Sequence, residues 1–401
     1  MQTVVRSGIC ATVPSLAPYY LYQAAASTSF FQPIFMVFYQ ERAGLSLATV
    51  LGVQTYFMAL RAILDVPFGV VADRTSRRAC LVAGMLASAA GMCLVVARPT
   101  LVAVVVAETL FAIGMALRSG ADSALLYDAL KATGGLARYP QAESRSQAVV
   151  ALASGLSAIV GSTLATYDLT WPWVAGIVAA FLAALAAGWI AEAPAHGRHD
   201  ASRLRAAARV AARTPAVRWT LGLAALVVSA SHVFYYLQQP YMTAAGVPIA
   251  LFGVVFAATK LVTALVAGGA HRVEERLGPA GTTAAMTVVP VLGLGAMAAV
   301  HGPLGAVVIV SRGFLDGLWM PLVNVLMNRL VPSEHRATML SLQSLVSRLT
   351  LAGVIALLGV AAQRLGLAAT LGGSACLVAV IGIALCATAP RLPEPPRVIA
   401  E

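Results

Sequence analysis

Apolar residues run along this chain in long stretches, and charged or Pro- and Gly-rich segments separate one stretch from the next. Each stretch is about 20 residues long, the length that an α-helix needs to cross the hydrocarbon core of a bilayer. The pattern therefore predicts twelve membrane-spanning helices, numbered here as spans 1 to 12. Their predicted limits are 15–39, 47–71, 79–97, 100–121, 145–166, 171–191, 219–241, 249–270, 279–300, 303–327, 337–361 and 367–388.

An arginine-rich segment in the middle of the chain divides these spans into two sets of six. Segment 192–218 carries six arginines against only Glu192 and Asp200, which is typical of a cytoplasmic linker lying on the membrane surface. The predicted organisation is an N-terminal six-helix bundle (1–191), this linker (192–218), a C-terminal six-helix bundle (219–390) and a cytoplasmic tail (391–401).

Composition supports an all-α polytopic membrane protein. Of 401 residues, 59% are hydrophobic and 11% are charged, whereas a soluble domain carries about 25% charged residues. The net charge of +11 does not require nucleic acid as a partner, because basic loops facing an anionic leaflet account for it. The five cysteines form no CxxC pair, so we expect no metal site and no disulfide framework.

The distribution of positive charge predicts the orientation. Of the 27 Lys and Arg residues, five lie within predicted spans, three lie in loops on one side, and the remaining 19 lie on the other side with both termini. Because cytoplasmic loops are rich in Lys and Arg, both termini are predicted to be cytoplasmic, in a bacterial inner membrane.

The two halves share short sequence patterns. Leu51-Gly52-Val53 at the start of span 2 matches Phe252-Gly253-Val254 at the start of span 8. Phe31-Gln32-Pro33 in span 1 similarly matches Gln238-Gln239-Pro240 in span 7. These matches predict two bundles related by pseudo-symmetry.

A glycine, an aspartate and a cluster of arginines follow one another where span 2 ends. The spacing Gly69-x-x-x-Asp73-Arg74-x-x-Arg77-Arg78 is open to two interpretations, a gate or an ordinary basic loop after a transmembrane helix. Together with twelve spans and a central basic linker, it resembles the major facilitator superfamily. The resemblance implies a gating motif made of Gly69, Asp73, Arg74, Arg77, Arg78 and Asp128, in which Asp128 or Asp122 pairs with Arg74 or Arg78.

The resemblance implies a secondary transporter that moves a small organic solute by alternating access, with protons as the coupling ion and export as the favoured direction. Within the family the chain loosely resembles drug and organic-solute efflux members, although span 5 has Gly155 and Gly161 without the proline usual there. Uptake of an organic anion, a transporter-like receptor and a membrane enzyme stay as alternatives. No catalytic residue and no cofactor are expected, no nucleotide-binding loop is found, and the expected partners are the solute, protons and lipid, with the protein a monomer.

Ionisable residues inside predicted spans are costly and are therefore functional candidates. The candidates for proton coupling are Asp65, Glu108 and Asp316. Asp65 and Asp316 each follow an arginine by four residues, so a structural ion pair is the alternative for both. Glu108 has no cation on its own helix face, and its alternative is pairing with Arg312 or Arg61 of another span.

In the superfamily, spans 1, 4, 7 and 10 line a central cavity. The corresponding candidates in this chain are Tyr22, Gln32, Arg118, Tyr235, Tyr236, Gln239, Arg312, Trp319 and Asn324. Five predicted intramembrane cations face only three carboxylates, which favours an anionic or zwitterionic substrate. Arg312 or Lys260 is the cation expected to meet that substrate, with Arg312 favoured because its planar fork suits a carboxylate or phosphate group.

Overall fold

The computed structural model describes residues 16–119, 121–132, 135–190, 214–300, 302–330 and 333–390, and all regular elements in these ranges are helical. The first half contains helices Ala17–Ala26 and Phe35–Glu41 (span 1), Leu47–Arg74 (span 2), Arg77–Ala97 (span 3), Leu101–Arg118 and Ala121–Ala132 (span 4), Tyr139–Ala165 (span 5) and Trp171–Gly188 (span 6). A 3-10 turn, Leu136–Arg138, precedes span 5.

The second half contains helices Pro215–Ala244 (span 7), Ala250–Ala299 (spans 8 and 9, separated by a kink at Gly278), Gly305–Ile309 and Arg312–Leu330 (span 10), Ser333–Leu365 (span 11) and Leu367–Ala387 (span 12). Nearly all of the predicted linker, and the whole of the predicted tail, lie outside the described residues.

Eleven helical segments in the described part of the chain are long and apolar enough to cross a bilayer, and they correspond to spans 2 to 12. Span 1 is the exception because it consists of two shorter helices, of 10 and 7 residues. The prediction of one continuous helix over 15–39 was wrong in this respect. The chain nevertheless passes from one side of the bundle to the other, which preserves the twelve crossings.

Residues 27–34 of span 1 are non-helical because their backbone groups find partners elsewhere. The Thr28 hydroxyl donates to the Ala25 carbonyl oxygen at 3.0 Å, and Pro33 has no N–H group to donate. The Ser29 N–H donates to Ser157 Oγ of span 5 at 2.7 Å. Gly161 of span 5 completes the fit, since a Cβ atom there would lie 1.9 Å from the Phe30 carbonyl oxygen. Irregular backbone inside a membrane protein is tolerated where protein buries it and supplies such partners.

Short connections join several of the other spans, and their residues match the helix ends. Ser46, Ser76 and Thr100 each accept a hydrogen bond from the backbone N–H three residues later, which caps the N-termini of spans 2, 3 and 4. Gly278 and Gly366 adopt positive φ angles of 65° and 81° at the turns after spans 8 and 11, a conformation that glycine tolerates best.

In the described ranges, the main contacts between the two halves are those of span 2 with span 11, of span 5 with span 8, and of the second helix of span 1 with span 7. We call the side on which span 1 begins proximal and the opposite side distal. Near the distal side, Gly253 of span 8 lies against the backbone of Ala158, and Gly359 of span 11 lies against Ala48 and Leu51. These close contacts join the halves at the distal side and leave a cavity between them.

Candidate transport cavity

The cavity has a volume of about 360 Å³ and is lined by residues of both halves. Spans 1, 2, 3, 4 and 6 contribute from the first half, and spans 7, 8 and 10 contribute from the second. Its charged lining residues are Arg61, Glu108, Arg118, Lys260 and Arg312, and His232 lines it as well. Aromatic rings and methionine side chains line much of the remaining wall, so the cavity combines an apolar wall with a group of charged and polar side chains.

Glu108 lies in the wall of this cavity and is only 5% exposed. One of its carboxyl oxygens, Oε1, accepts hydrogen bonds from the Tyr39 hydroxyl at 3.0 Å and from Gln54 Nε2 at 2.7 Å. Within the described part of the chain it has no ion pair, so neither Arg61 nor Arg312 is the partner that the sequence left open. A buried carboxyl group held by neutral donors can gain or lose a proton without breaking an ion pair.

The hydrogen bonds around Glu108 extend to the second half. The Tyr236 hydroxyl of span 7 donates to Gln54 Oε1 at 3.4 Å, and Gln54 in turn donates to Glu108. Nearby, Gln239 of span 7 accepts from the Met36 N–H and donates to the Gln32 carbonyl oxygen, both at 2.9 Å. The two sequence-matched segments, 31–33 and 238–240, thus contact each other at the break in span 1.

Arg312 is held by several partners of its own half. Its Nη2 donates to Asp316 Oδ2 at 3.0 Å, and its Nε donates to Ser231 Oγ at 3.3 Å. Ser231 also donates to Asp316 Oδ1. The guanidinium carbon lies 5.1 Å from the ring centre of Tyr235, a cation–π distance. Two of the five N–H groups of Arg312 are therefore engaged inside the second half, and Asp316 compensates its charge.

Asp65 connects the two halves rather than serving Arg61 alone. Its Oδ2 pairs with Arg348 of span 11, whereas its Oδ1 lies 3.9 Å from Arg61 Nε of its own span. The pair that the sequence predicted within span 2 is thus long, because Asp65 also faces an arginine across the interface. Arg61 Nε is buried without a hydrogen-bond partner among the described residues.

Two further cations in the cavity lack a carboxylate partner among the described residues. Lys260 Nζ lies 5.5 Å from the ring centre of Phe256, and no carboxylate in the described ranges lies within 4 Å of it. Arg118 Nη1 donates to Met85 Sδ at 3.1 Å, and its Nε is buried without a described acceptor. A thioether is a weak acceptor, and the Tyr22 hydroxyl beside Arg118 is neutral, so the charge of Arg118 is poorly compensated.

An aromatic cluster forms the wall of the cavity next to these charges. Phe31 stacks on Trp173 with ring centres 4.4 Å apart and on Phe111 at 6.3 Å. Phe35 stacks on Tyr235 of the other half at 6.0 Å. Such flat apolar surfaces suit the body of an organic molecule better than a bare ion.

The structure brings together only part of the predicted set. The predicted residues that line the cavity are Gln32, Glu108, Arg118, Tyr235, Tyr236 and Arg312. Tyr22, Gln239 and Trp319 lie outside its lining, with Trp319 packed against apolar residues, and the Asn324 side chain is outside the described part of the chain. Tyr39 and Gln54 were missed, although an amide within an apolar run, as at Gln54, is a signal that sequence reasoning could use.

A family profile described as Major Facilitator Superfamily matches residues 22–356. The chain belongs to the Major Facilitator Superfamily. The match covers most of the chain and includes spans of both halves, so the fold and the general class of transporter rather than enzyme follow from it.

Solved structures of other superfamily transporters have the same fold at low sequence identity. A mutant of the nucleoside transporter NupG aligns with a TM-score of 0.79 and 11% identity over 93% of this chain and 99% of that chain. A POT family transporter in complex with a thioalcohol-conjugated peptide aligns with a TM-score of 0.72 and 12% identity, over 94% and 96%. A bacterial homolog of the human lysosomal transporter Spinster, in an inward-facing and unoccupied conformation, aligns with a TM-score of 0.67 and 16% identity over 92% of this chain and 94% of that chain. No curated protein sequence matches this chain.

In this superfamily member, the residues predicted to form a gate lie at the proximal ends of spans 2, 3 and 4, and the ion pair described among them stays within the first half. Nothing described lies within 4 Å of a Cβ atom built on Gly69, so no neighbouring helix in the described ranges uses the space that this glycine offers. The ion pair described for Asp128 is with Arg77 of span 3, rather than with Arg74 or Arg78 as predicted. Arg77 is the first residue of span 3 and reaches the second helix of span 4. The side chain of Asp73 lies outside the described residues.

Proposed function

We propose that this superfamily member is a proton-coupled secondary transporter that moves a small organic solute, anionic or amphipathic, through the central cavity by alternating access. Export is the favoured direction, on the resemblance to efflux members. We assign the protein to the bacterial inner membrane with both termini in the cytoplasm, because the proximal side carries most of the positive charge. The proximal side is then the cytoplasmic side.

The observation that supports proton coupling most directly is the environment of Glu108. It lines the cavity, it is buried, and its described partners are a hydroxyl and an amide rather than a cation. Asp65 and Asp316 are both engaged in ion pairs with arginines, so a change in their charge would disrupt those pairs. Glu108 is therefore our preferred proton carrier of the three candidates.

The hydrogen bonds around Glu108 also suggest how a proton could act on the whole protein. Through Gln54, Glu108 is connected to Tyr236 of the second half. An ionised Glu108 accepts hydrogen bonds only, whereas a protonated one also has a proton to donate. Its protonation would thus change the preferred orientation of the Gln54 amide, and with it a contact between the halves.

The charge of the cavity supports an anionic solute. Arg61, Arg118, Lys260 and Arg312 line it together with one described carboxylate, Glu108. Asp316 compensates Arg312, but Arg118 and Lys260 have no described carboxylate partner and Arg61 lies 3.9 Å from Asp65. Buried charges are costly unless they are compensated, and a solute carrying a negative group would compensate these cations. The aromatic wall formed by Phe31 and its neighbours suits the apolar part of the same molecule.

The test is proton flux in proteoliposomes containing the purified full-length protein and an internal pH-sensitive dye. Phenylphosphonate and terephthalate serve as poorly permeant aromatic anions, each added with and without an imposed pH gradient. We expect solute-dependent proton movement for at least one anion. Glu108→Gln should abolish gradient-driven transport and keep solute exchange, because the amide retains the shape but cannot change its charge.

The matched control is Glu41→Gln, which neutralises an exposed carboxyl group at the distal end of span 1. This variant should transport like the wild type. If gradient-driven transport survives in Glu108→Gln, Glu108 is not the proton carrier. If the solute moves without proton movement, transport is not coupled to protons. Solute accumulation driven by an inward proton gradient would assign uptake in place of export.

A further inference from the structure

We propose that the first half contains an oxyanion subsite between Arg61 of span 2 and Arg118 of span 4, which binds the negatively charged group of the solute. This inference rests on the proposed function and assigns the group that recognises the solute's charge. It differs from the expectation drawn from the sequence, in which Arg312 or Lys260 met the substrate. The ligand chemistry is a carboxylate, phosphonate or phosphate attached to an organic body.

Arg118 is directed into the cavity by the packing of spans 3 and 4. A Cβ atom built on Gly84 would lie 2.8 Å from Arg118 Cγ and 2.7 Å from the Gly114 carbonyl oxygen. The absence of side chains at Gly84 and Gly114 therefore creates the space through which the stem of Arg118 passes. Beyond this point the guanidinium group meets Met85 Sδ, which is a weak acceptor, and its Nε has no acceptor among the described residues.

Arg61 has a similar deficit for a different reason. The described carboxylate near it is Asp65, and Asp65 pairs closely with Arg348 of the second half. Arg61 Nε remains 3.9 Å from Asp65, too far for a hydrogen bond, and is buried without a described partner. Arg61 and Arg118 also repel each other electrostatically across the cavity, so a shared negative ligand would stabilise both.

The carboxylate that shares the cavity with this pair is engaged elsewhere. Glu108 is held by Tyr39 and Gln54, and its described contacts include neither arginine. Both guanidinium groups face the same cavity, and each has a buried N–H group without a described acceptor. Such a pair can bind an oxyanion through several charge-assisted hydrogen bonds.

Arg312 is a weaker candidate for this role because Asp316 of its own half already compensates its charge. It donates to Asp316 and to Ser231 and stacks on Tyr235. Lys260 has no described carboxylate partner, but a single ammonium group on a flexible stem does not provide the fork geometry of two arginines. The solute's apolar body would then lie towards Phe31 and Phe111, which line the same cavity.

The experiment is isothermal titration calorimetry on the purified full-length protein in detergent at constant ionic strength. Benzoate and phenylphosphonate are the oxyanion probes, and benzyl alcohol and benzylamine are their neutral and cationic counterparts. We expect the oxyanions to bind and the other two probes not to bind. Arg61→Gln and Arg118→Gln should each weaken oxyanion binding by about tenfold or more, and Arg118→Lys should lie between Arg118→Gln and wild type.

Two controls accompany these variants. Arg42→Gln removes an arginine from an ion pair on the distal surface and should leave the affinity unchanged. Lys260→Gln removes a cavity cation of the second half and should change the affinity less than either arginine substitution does. Melting curves of each variant verify that it is folded, and Arg118→Lys keeps the test informative if Arg118→Gln does not fold.

The proposal is overturned if folded Arg61→Gln and Arg118→Gln bind the oxyanions as tightly as the wild type, or if Lys260→Gln alone abolishes binding. It is also overturned if the wild type binds benzyl alcohol as well as benzoate, or binds neither oxyanion at concentrations of about 10 mM. None of these results depends on a proton gradient, so the flux experiment with Glu108→Gln can still succeed when this one fails.

Discussion

Gly161 shows at the residue scale how closely two spans of the first half approach each other. Gly161→Ala would place a Cβ atom 1.9 Å from the Phe30 carbonyl oxygen, which belongs to rigid backbone. We expect this substitution to lower the free energy of unfolding by about 1–3 kcal/mol through overpacking. Melting curves of the purified variant and of the wild type measure this loss of stability.

Gly155 is a matched control on the same span. A Cβ atom there would lie 3.8 Å from the Ala257 side chain, an ordinary contact distance, so Gly155→Ala should melt close to the wild type. Equal melting temperatures for the two variants would show that the break in span 1 shifts easily, contrary to this interpretation.

Asp168 gives a pH dependence at the same scale, in the loop between spans 5 and 6. Hydrogen bonds from the Thr170 backbone and side chain, followed by the contact with Arg42, hold the pKa of Asp168 below its ordinary value. Because the pKa of Asp168 is lower in the folded protein than in the unfolded chain, the ionised side chain stabilises the folded protein at pH values above about 4. This contribution is lost as the pH falls from about 4 through the lowered pKa.

Acid melting curves test this dependence. Asp168→Asn should lose less stability than the wild type on acidification, and the difference should be small because the side chain is exposed. Arg42→Gln should keep most of the dependence, since Thr170 contributes more to it. Identical acid profiles for the wild type and Asp168→Asn would contradict the prediction.

Sequence reasoning at the residue scale identified the charged residues but not their partners. Glu108 and the intramembrane arginines are conspicuous because charge is rare within apolar runs. Tyr39 and Gln54 could not be assigned to Glu108, since each lies on another span and meets it only after the helices pack. For the same reason, the contact between Asp65 and Arg348, 283 positions apart in the sequence, cannot be obtained from i, i+4 spacing.

At the scale of the element, span 1 depends on two serines of span 5. Ser157 accepts a hydrogen bond from the backbone of Ser29, whereas Ser154 contacts only its hydroxyl group, at 2.9 Å. Ser157→Ala leaves a buried N–H group without a partner and should destabilise the protein by about 1–3 kcal/mol. Ser154→Ala should cost less, because the Ser29 hydroxyl keeps a contact with the Ser27 carbonyl oxygen.

Melting curves of the two variants rank these contributions, and Ser154→Ala is the control for loss of a hydroxyl group from span 5. A larger effect of Ser154→Ala would mean that side-chain contacts, and not the backbone hydrogen bond, maintain the break in span 1.

Hydrophobic length predicts that an element crosses the membrane but not where it is interrupted. The predicted limits of span 12, 367–388, agree closely with the helix Leu367–Ala387. The break in span 1 escaped prediction because its flanking residues are equally apolar and Ser157, which stabilises it, comes from span 5. The break in span 10 escaped prediction for the first of these reasons, and its described backbone hydrogen bonds are local turns. Pro33 marks one break, but Pro67 lies inside the continuous helix of span 2, so proline alone does not distinguish the cases.

At the scale of the molecule, Gly253 controls how closely the halves approach at the distal side. Gly253→Ala would place a Cβ atom 2.1 Å from the Ala158 carbonyl oxygen, and this contact lies between halves. We therefore expect the variant to separate the distal ends of the bundles, with a smaller effect on the fold of each bundle.

Electron–electron distance measurements between spin labels at Glu41→Cys and Ala245→Cys, in a background without the native cysteines, should show a longer distal distance. Gly52→Ala is the matched control, because Gly52 occupies the corresponding position in the sequence repeat and a Cβ atom there would meet nothing described within 4 Å. An unchanged distance distribution in Gly253→Ala would contradict this role.

The twelve-span architecture and the family were accessible from the sequence, whereas the conformation was not. The repeat between Leu51-Gly52-Val53 and Phe252-Gly253-Val254 indicates two related bundles but treats both glycines alike. In the structure, Gly253 packs against the backbone of Ala158 in the other half, whereas Gly52 is exposed and has no described neighbour within 4 Å, so the repeat does not predict which glycine lies between the halves. One sequence is compatible with every conformation that the protein adopts, so it does not identify the particular conformation described here.

The excess of fixed cations in the cavity has an electrical consequence. Arg61, Arg118, Lys260 and Arg312 line the cavity together with a single described carboxylate. On the proposed alternating-access cycle, the cavity would hold these charges within the membrane's electric field. An elementary charge that crosses this field changes in energy by about 2.3 kcal/mol per 100 mV. A bound oxyanion cancels part of the charge, so voltage acts differently on the loaded and the empty protein. On the proposed cycle, the membrane potential therefore becomes an energy source beside the pH gradient.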